Sequence, residues 1–508
     1  MHTTHRSSSA TASAIGFALA ASAAVAQCPD PRFTPGQFVL PWDFTPVYVL
    51  DTRDVNGDGL ADVLAARLSE INGYWTNHVL LSAGDGSFTQ SYFDEANRRR
   101  FPCLGDLNGD SFPDLVVCLE GVWPAHPTIE VRFNDGTGHF GSPTTYNPYT
   151  QWSLEIVEFP TCIDLNGDGL LDLVYSVQGM MRSRLNLGGG VLGEERWGAV
   201  GFGYGSILVD LTGDGIPELP TGESGLGYRT DDVGLGDYYT FHHVSWNPSH
   251  QIMVVDIDGD GDMDLTAVEY LWPNGGGRYY TYLNDGAGTF SAAPVLSAAL
   301  GDFYDQRVYV DIDGDGDLDM VVGVPDDSAR IIRYRNVGNG AFERLADVPA
   351  QSPWLVQSAD VNGDGIADLA WHIIYTLVDG LPRGGLAVML GRGDGDFDPV
   401  HVHLAQAEEA YFFNRLHLVD VTGDQAPDAL MTAYFFGGGA GDGLGALYAM
   451  TDFCPCPADF DGNGTREVAD IFAFLSAWFA GEDAAQNFGG TPGVPAIFAF
   501  LSAWFAGC

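Results

Sequence analysis

DIDGDGDMD, running from Asp256 to Asp264, is the stretch that decides how this chain reads. Its five aspartates stand at alternate positions, with Gly259 and Gly261 between them. The same nine-residue pattern occurs eight times. The other copies are DVNGDGLAD from Asp54, DLNGDSFPD from Asp106, DLNGDGLLD from Asp164, DLTGDGIPE from Asp210, DIDGDGDLD from Asp311, DVNGDGIAD from Asp360 and DVTGDQAPD from Asp420. Their period is about 52 residues, in the range of propellers and solenoids.

Each copy has the same neighbours. An aliphatic strand precedes it (PVYVL, 46–50; QIMVV, 251–255) and a short apolar strand follows it (ADVLAA, 61–66; LDMVVG, 318–323). About 20 residues later comes a strand, a Gly/Asp turn and a Phe, as in VRFNDGTGHF (131–140) and TYLNDGAGTF (281–290). Asp-Gly between apolar runs is a strong hairpin signal. Each repeat thus supplies about four short antiparallel strands, which is a propeller blade. The eighth repeat lacks its fourth strand, and a strand of that type stands alone ahead of the first repeat, GQFVLPW at 36–42. An N-terminal strand completing the last blade would close the ring and remove an open edge. The expected fold is all-β, a β-propeller of eight four-stranded blades, or seven if one motif is ornamental, followed by a small α-helical C-terminal domain.

Within a loop, positions 1 and 5 are always Asp, and position 9 is Asp in seven copies and Glu218 in the fourth. Position 3 is Asn, Asp or Thr. Oxygens at 1, 3 and 5 on a tightly wound backbone converge on one centre, and calcium takes six to eight such hard oxygens. Gly at position 4 in every copy, and at position 6 in six, supplies the positive φ the wrap needs. Position 2 is always Val, Leu or Ile, an anchor into the core. The candidate ligands are Asp54, Asn56, Asp58 and Asp62; Asp106, Asn108, Asp110 and Asp114; Asp164, Asn166, Asp168 and Asp172; Asp210, Thr212, Asp214 and Glu218. In the second half they are Asp256, Asp258, Asp260 and Asp264; Asp311, Asp313, Asp315 and Asp319; Asp360, Asn362, Asp364 and Asp368; Asp420, Thr422, Asp424 and Asp428. Three or four carboxylates in one loop repel unless a proton or a cation intervenes. Magnesium demands a stricter octahedron, and zinc wants Cys or His. The weakest loops are the second, with Ser111 at position 6, and the eighth, with Thr422 and Gln425.

The 508 residues carry 68 Asp+Glu against 22 Lys+Arg, a formal net charge of −46. Such a polyanion repels nucleic acid and anionic lipid surfaces. The chain opens like a signal peptide over 1–26: His2, His5 and Arg6, an Ala-rich apolar stretch, then Ala24-Val25-Ala26 before the cut. The expected domains are that leader, a propeller over 27–453 and a paired loop–helix unit over 454–508, in a protein exported to the cell surface or beyond. No run in the mature chain approaches the ~20 apolar residues needed to span a bilayer.

The loops resemble the FG-GAP/VCBS repeat family, which includes the calcium-binding blades of integrin α-subunit propellers. The resemblance covers about 33–450. It implies calcium at the positions named above and a role in extracellular adhesion, protein or carbohydrate binding, or structural display. It transfers no partner-binding residue.

In the tail, IFAFLSAWFAG at 471–481 recurs at 497–507, an offset of 26. Ile471, Phe472, Phe474, Leu475, Trp478 and Phe479 fit a short helix with a wide buried face. Ahead of it, Asp459, Asp461, Asn463, Thr465, Glu467 and Asp470 take positions 1, 3, 5, 7, 9 and 12 of an EF-hand-type loop, with Gly464 at position 6. The second loop has Ala485, Asn487, Gly489, Thr491, Gly493 and Ala496 at the equivalent places, so one calcium is expected here, not two. The pair of units resembles a dockerin of the type ending in Gly-Cys, which implies a cohesin-like receptor or a sorting and anchoring role. The alternative reading is a small two-helix cap packed on the propeller.

Seven Cys is an odd number. Cys103 and Cys118 flank the second loop and are candidates to pair; Cys28 with Cys454 or Cys456 would clamp the ring shut, and Cys508 would take the one left over. Cys162 is then the odd, buried thiol. Arg98-Arg99-Arg100 is the one basic cluster; His242, His243, His401 and His403 fit strand positions, and Trp75, Trp123, Trp152 and Trp354 are blade core or a sugar surface. Nucleophile elbow, P-loop, HExxH and dinucleotide signatures do not occur. The first reading is a calcium-binding, non-catalytic binding propeller docked or anchored through its tail. The alternatives are a propeller-scaffold lyase or hydrolase acting on polysaccharide and a matrix protein with no specific ligand.

Overall fold

The computed structural model describes residues 32–33, 37–43, 47–69, 74–93, 99–121, 126–149, 156–201, 208–221, 226–230, 240–245, 250–270, 277–292, 296–298, 307–325, 328–338, 340–378, 381–404, 412–436, 443–453, 460, 468–481, 483–486 and 493–506. The signal-peptide stretch, Cys28, Cys454, Cys456, Cys508, Trp123, Trp152, Arg98 and the loop ligands Asp459 to Glu467 lie outside them.

Every repeat folds as an antiparallel meander whose first strand leads into the Asp-rich loop. Blade 1 is Val47–Arg53, Asp62–Ser69, Tyr74–Ser82 and Phe88–Phe93; blade 3 is Val157–Ile163, Asp172–Val177, Met180–Asn186 and Leu192–Gly201. Blades 2, 5, 6 and 7 follow the same order. In blade 4 the described part is Leu219–Thr221, Leu226–Thr230 and Thr240–Ser245, with Val209 bridged to Glu218 where the first strand meets the second. The second strand is fully buried in blades 3 and 6, Asp172–Val177 and Asp319–Val324.

Blade 8 contains Phe412–Val419, Asp428–Phe436 and Gly443–Met450, and its fourth strand is Gln37–Asp43 from the N-terminal side, with Gln37 opposite Ala449 and Leu40 opposite Leu447. A second short ladder, Arg32–Phe33 against Asp452–Phe453, extends this closure. Apolar clusters then seal each blade against the next. Leu104, Leu115 and Val117 of blade 2 meet Leu64 and Val79 of blade 1, and Val310 and Val321 of blade 6 meet Leu369 and Trp371 of blade 7. Val63, Ala65 and Leu80 of blade 1 meet Leu430, Leu447 and Ala449 of blade 8. Among the described residues each of the eight motifs opens a blade of its own, so the ring is built of eight.

The tail forms α1 (Val468–Ala480), α2 (Asp483–Gln486) and α3 (Val494–Ala506). Phe474 and Phe500, equivalent residues of the internal repeat, stack at 4.1 Å with their planes 2° apart, and Phe460 packs edge-on against both. The buried face is narrower than the sequence pattern suggests. Phe472 and Phe479 are exposed, because two 13-residue helices meeting along one seam cover a single stripe each. Among the described residues no helix is long and apolar enough to cross a membrane.

Candidate metal centres

Each loop is wound by its own aspartates before any ion is considered. The position 1 carboxylate accepts backbone N–H groups from positions 4 and 6: Asp54 from Gly57 (2.6 Å) and Gly59 (2.9 Å), Asp311 from Gly314 (2.7 Å) and Gly316 (3.1 Å). The position 5 carboxylate accepts from position 7, as Asp58 does from Leu60 and Asp315 from Asp317. This winding needs positive φ at positions 4 and 6. Gly supplies it throughout except at position 6 of loops two and eight, where Ser111 (φ 77°) and Gln425 (φ 75°) are forced into it.

Position 2 is the anchor the sequence predicts. Val55, Leu107, Leu165, Leu211, Ile257, Ile312, Val361 and Val421 are all buried. Position 9 does more than spacing reveals. One oxygen of each of these acids accepts the N–H of position 2, as in Val55 to Asp62 (2.8 Å), Leu211 to Glu218 (2.7 Å) and Val421 to Asp428 (2.8 Å). In six of the loops the other oxygen accepts the N–H of a hairpin residue: Ser82 to Asp62, Asn134 to Asp114, Asn186 to Asp172, Asn284 to Asp264, Asn336 to Asp319 and Gly391 to Asp368, all at 2.6–2.9 Å. The position 9 acid is therefore a clasp between loop and hairpin. A carboxylate oxygen that accepts a single N–H keeps a further lone pair for a cation.

Burial pushes Asp62, Asp114 and Asp319 up to about 6 and Glu218, Asp264 and Asp368 up to about 7. The backbone N–H bonds oppose this shift, and the carboxylates at positions 1 and 5 or 3 add to it.

Position 3 separates the loops into classes. Where it is Asn, the side-chain amide donates to the position 5 carboxylate: Asn56 to Asp58 (2.9 Å), Asn108 to Asp110 (2.9 Å), Asn166 to Asp168 (3.1 Å) and Asn362 to Asp364 (3.0 Å). Where it is Thr, Thr212 donates to Glu218 and Thr422 to Asp420. Asp258 and Asp313 have no proton to give. In loops five and six the structure therefore brings three carboxylates together, Asp256 with Asp258 and Asp260, and Asp311 with Asp313 and Asp315, one oxygen of each lying within 4.8 Å of the others. Burial, then repulsion from Asp260 and Asp315, raises the Asp258 and Asp313 carboxyls above their ordinary value. Asp256 Oδ1, Asp258 Oδ1 and Asp313 Oδ1 are buried with no hydrogen-bond donor. Buried acceptors left without donors are costly, and a cation is the partner that satisfies them. The donor set of these two loops fits a hard divalent ion. In the remaining loops no comparable group of three appears among the described residues.

Comparison with known proteins agrees with this repeat. A model described as the FG-GAP-like repeat matches residues 54–117, 256–322 and 311–371. In these stretches the chain is similar to FG-GAP-like repeats. The second and third matches take in loops five and six, so the FG-GAP-like signal includes both carboxylate triads. No curated protein matches the chain. Among solved structures, a lectin from Agrocybe aegerita that recognises non-reducing terminal N-acetylglucosamine is similar at 18% identity, 73% of this chain and 92% of that one, with a TM-score of 0.42. BBS1N in complex with ARL6DN is similar at 12% identity, 84% of this chain and 97% of that one, with a TM-score of 0.34.

Outside the FG-GAP-like loops, His401 is exposed and His403 packs against Phe33, so neither joins a ligand cluster. Trp354 is half-buried, and the side chains of Trp75, His242, His243, Arg99, Arg100 and Asp470 lie outside the described set. The sequence reading misses an exposed aromatic pair, Tyr149 and Trp197, with ring centroids 5.3 Å apart. Arg182 lies 4.2 Å from the Trp197 ring and ion-pairs with Glu195 at 3.6 Å. The one local signal for it was Trp197 directly after the charged run Glu194-Glu195-Arg196.

The expected cysteine pairing is corrected. Cys103 Sγ stands 3.2 Å from Cys162 Sγ, and Cys162 is partly exposed. Cys118 is the fully buried thiol. The first strands of adjacent blades abut, which brings Cys162 nearer to Cys103 than the sequence neighbour Cys118.

Proposed function

We propose that this protein is a calcium-loaded, non-catalytic binding propeller, exported and displayed at or beyond the cell surface. In this reading the ring presents a surface to protein or carbohydrate, and the tail docks or anchors it. The observation that carries the reading is the pair of triads in loops five and six, where three carboxylates crowd together and buried oxygens lack donors. Opposed oxygens around one calcium stand roughly 4.6–5.2 Å apart, which suits those triads. The other loops share the same wound backbone and bind more weakly, because Asn or Thr replaces the third carboxylate.

Two surfaces support a binding role. Tyr149 and Trp197, backed by Arg182 and Glu195, make a mixed aromatic and charged patch of the kind that takes a sugar ring. In the tail, Val468 and Phe472 of α1 and their repeat equivalents Val494 and Phe498 of α3 are exposed, giving a doubled apolar face for a receptor.

Thermal melting of the full chain with excess calcium and with chelator tests this function. A calcium-dependent rise in melting temperature, with two tight sites and weaker ones by titration, supports it. No shift would overturn it. A glycan screen scored for both binding and bond cleavage separates binding from catalysis; turnover lost on removal of one carboxylate outside the loops would establish an enzyme.

A further inference from the structure

We infer that Cys103 and Cys162 are an oxidisable pair that closes into a disulfide joining blades 2 and 3. The two sulfurs are 3.2 Å apart, on the first strands of adjacent blades, Arg99–Gly105 and Val157–Ile163. These strands approach closely: a Cβ added at Gly105 would come within 2.5 Å of the Cys162 Cβ, so only Gly lets the second strand lie flat beside the first. Both residues lie at the edge of an apolar cluster and are only partly buried, while Cys118 in the same cluster is fully buried. The three sulfurs do not form a metal-holding group among the described residues. The arrangement therefore favours a bond between two of them over a shared ion.

The chemistry is a two-electron exchange. One thiolate attacks a disulfide-bearing oxidant, forming a mixed disulfide and releasing one oxidant thiol. The second thiolate then displaces the other oxidant thiol and closes the protein disulfide. The two cysteines lose two electrons and two protons, and the oxidant leaves as two thiols. The bond would span 59 residues and fix the strands that enter loops two and three. It would leave Cys118 as the unpaired cysteine of this region, inside the core and away from exchange. Oxidation during biosynthesis rests on the export reading; the geometry does not.

The purified full chain is reduced, then treated with oxidised glutathione, alkylated and digested with trypsin without reduction. Cleavage after Arg100, Arg132 and Arg182 puts Cys103 and Cys118 on one peptide and Cys162 on the next. The expected product is those two peptides linked, two hydrogens lighter than their sum, with fragmentation placing the link at Cys103 and alkylation at Cys118. Recovery of Cys103 and Cys162 both alkylated, or of Cys103 joined to any other cysteine, overturns the pairing. Cys103→Ala is expected to lower the melting temperature of the oxidised protein by roughly 5 °C or more and that of the reduced protein by about 2 °C or less. Protein recovered from a secreting cell, mapped without added oxidant, tests export separately.

Discussion

The Ser82 hydroxyl donates to the Val421 carbonyl at 2.5 Å, joining residues 339 apart in sequence. It repeats a bond made in four other blades. Asn134 donates to Val55 O, Asn186 to Leu107 O, Asn284 to Leu211 O and Asn336 to Ile257 O, each from the hairpin of one blade to position 2 of the preceding loop. Blade 7 has Gly391 at this place, and the Gly395 N–H reaches Ile312 O instead. Blade 1 thus treats loop eight as its predecessor, which is closure written in hydrogen bonds. Because each position 2 residue also feeds its N–H to a position 9 acid, metal loop, hairpin and next blade form one connected network.

Asn134→Ala is expected to destabilise the ring by about 2–4 kcal/mol, since it strands the Val55 carbonyl and the N–H groups of Gly136 and Gly138. Ser82→Ala removes the bond to the Val421 carbonyl and the acceptor of the Gly84 N–H and costs about 1–2 kcal/mol. Denaturant unfolding of both variants in calcium checks the order; equal costs would show that the asparagine amide is not what links the blades.

Asp258→Asn and Asp313→Asn give loops five and six the amide that loops one, two, three and seven already have. The new donor can reach Asp260 or Asp315, so repulsion falls and the chelated protein gains about 1 kcal/mol each. Calorimetric titration should then show one tight site fewer per variant. A chelated protein made less stable would argue against carboxylate crowding.

Ser111→Gly and Gln425→Gly are expected to stabilise. A side chain at positive φ costs about 1–2 kcal/mol, against about 0.5–1 kcal/mol for the added freedom of Gly in the unfolded chain. Each change should raise stability by up to about 1 kcal/mol, readable as a higher melting temperature with the chelator present.

The pH dependence has a definite sign. The carboxyls of Asp62, Asp114, Glu218, Asp264, Asp319 and Asp368 have folded values of about 6 to 7 against an ordinary 3.8 for Asp and 4.5 for Glu. Between those limits the calcium-free folded protein holds more protons than the unfolded chain. The stability these acids contribute is complete below about pH 4 and is lost as pH rises from there through 6 to 7. Calcium replaces the protons, so the melting shift it produces should be larger at pH 7.5 than at pH 5. The reverse order would mean these acids are charged in the calcium-free fold.

The ring was legible in the sequence because the loop motif, the position 2 aliphatics and the hairpin turns recur in one order, and because the eighth repeat lacks a strand that stands before the first. The double role of position 9 was not legible. Asp62 sits at the same spacing whether it faces an ion or the N–H groups of Val55 and Ser82. Nor was the Cys103–Cys162 approach, since it depends on which strands of successive blades abut. Phe472 and Phe479 were placed inside because helical periodicity marks an apolar face and not how much of it a partner covers.

The tail offers a test that separates folding from docking, because its repeat supplies chemically identical residues in opposite environments. Phe474 is fully buried and stacked on Phe500, whereas Phe472, two positions earlier, is 66% exposed, as is Phe498. Phe474→Ala removes a ring from the seam and should cost the tail about 3–5 kcal/mol, with loss of helical signal from this unit. Phe472→Ala with Phe498→Ala removes two rings from water and should leave melting within about 0.5 kcal/mol of the parent. If the apolar face is a docking surface, the double variant folds and no longer retains the protein on cells that display the receptor. Retention equal to that of the parent would mean that the face serves no receptor and that the tail acts only through its fold.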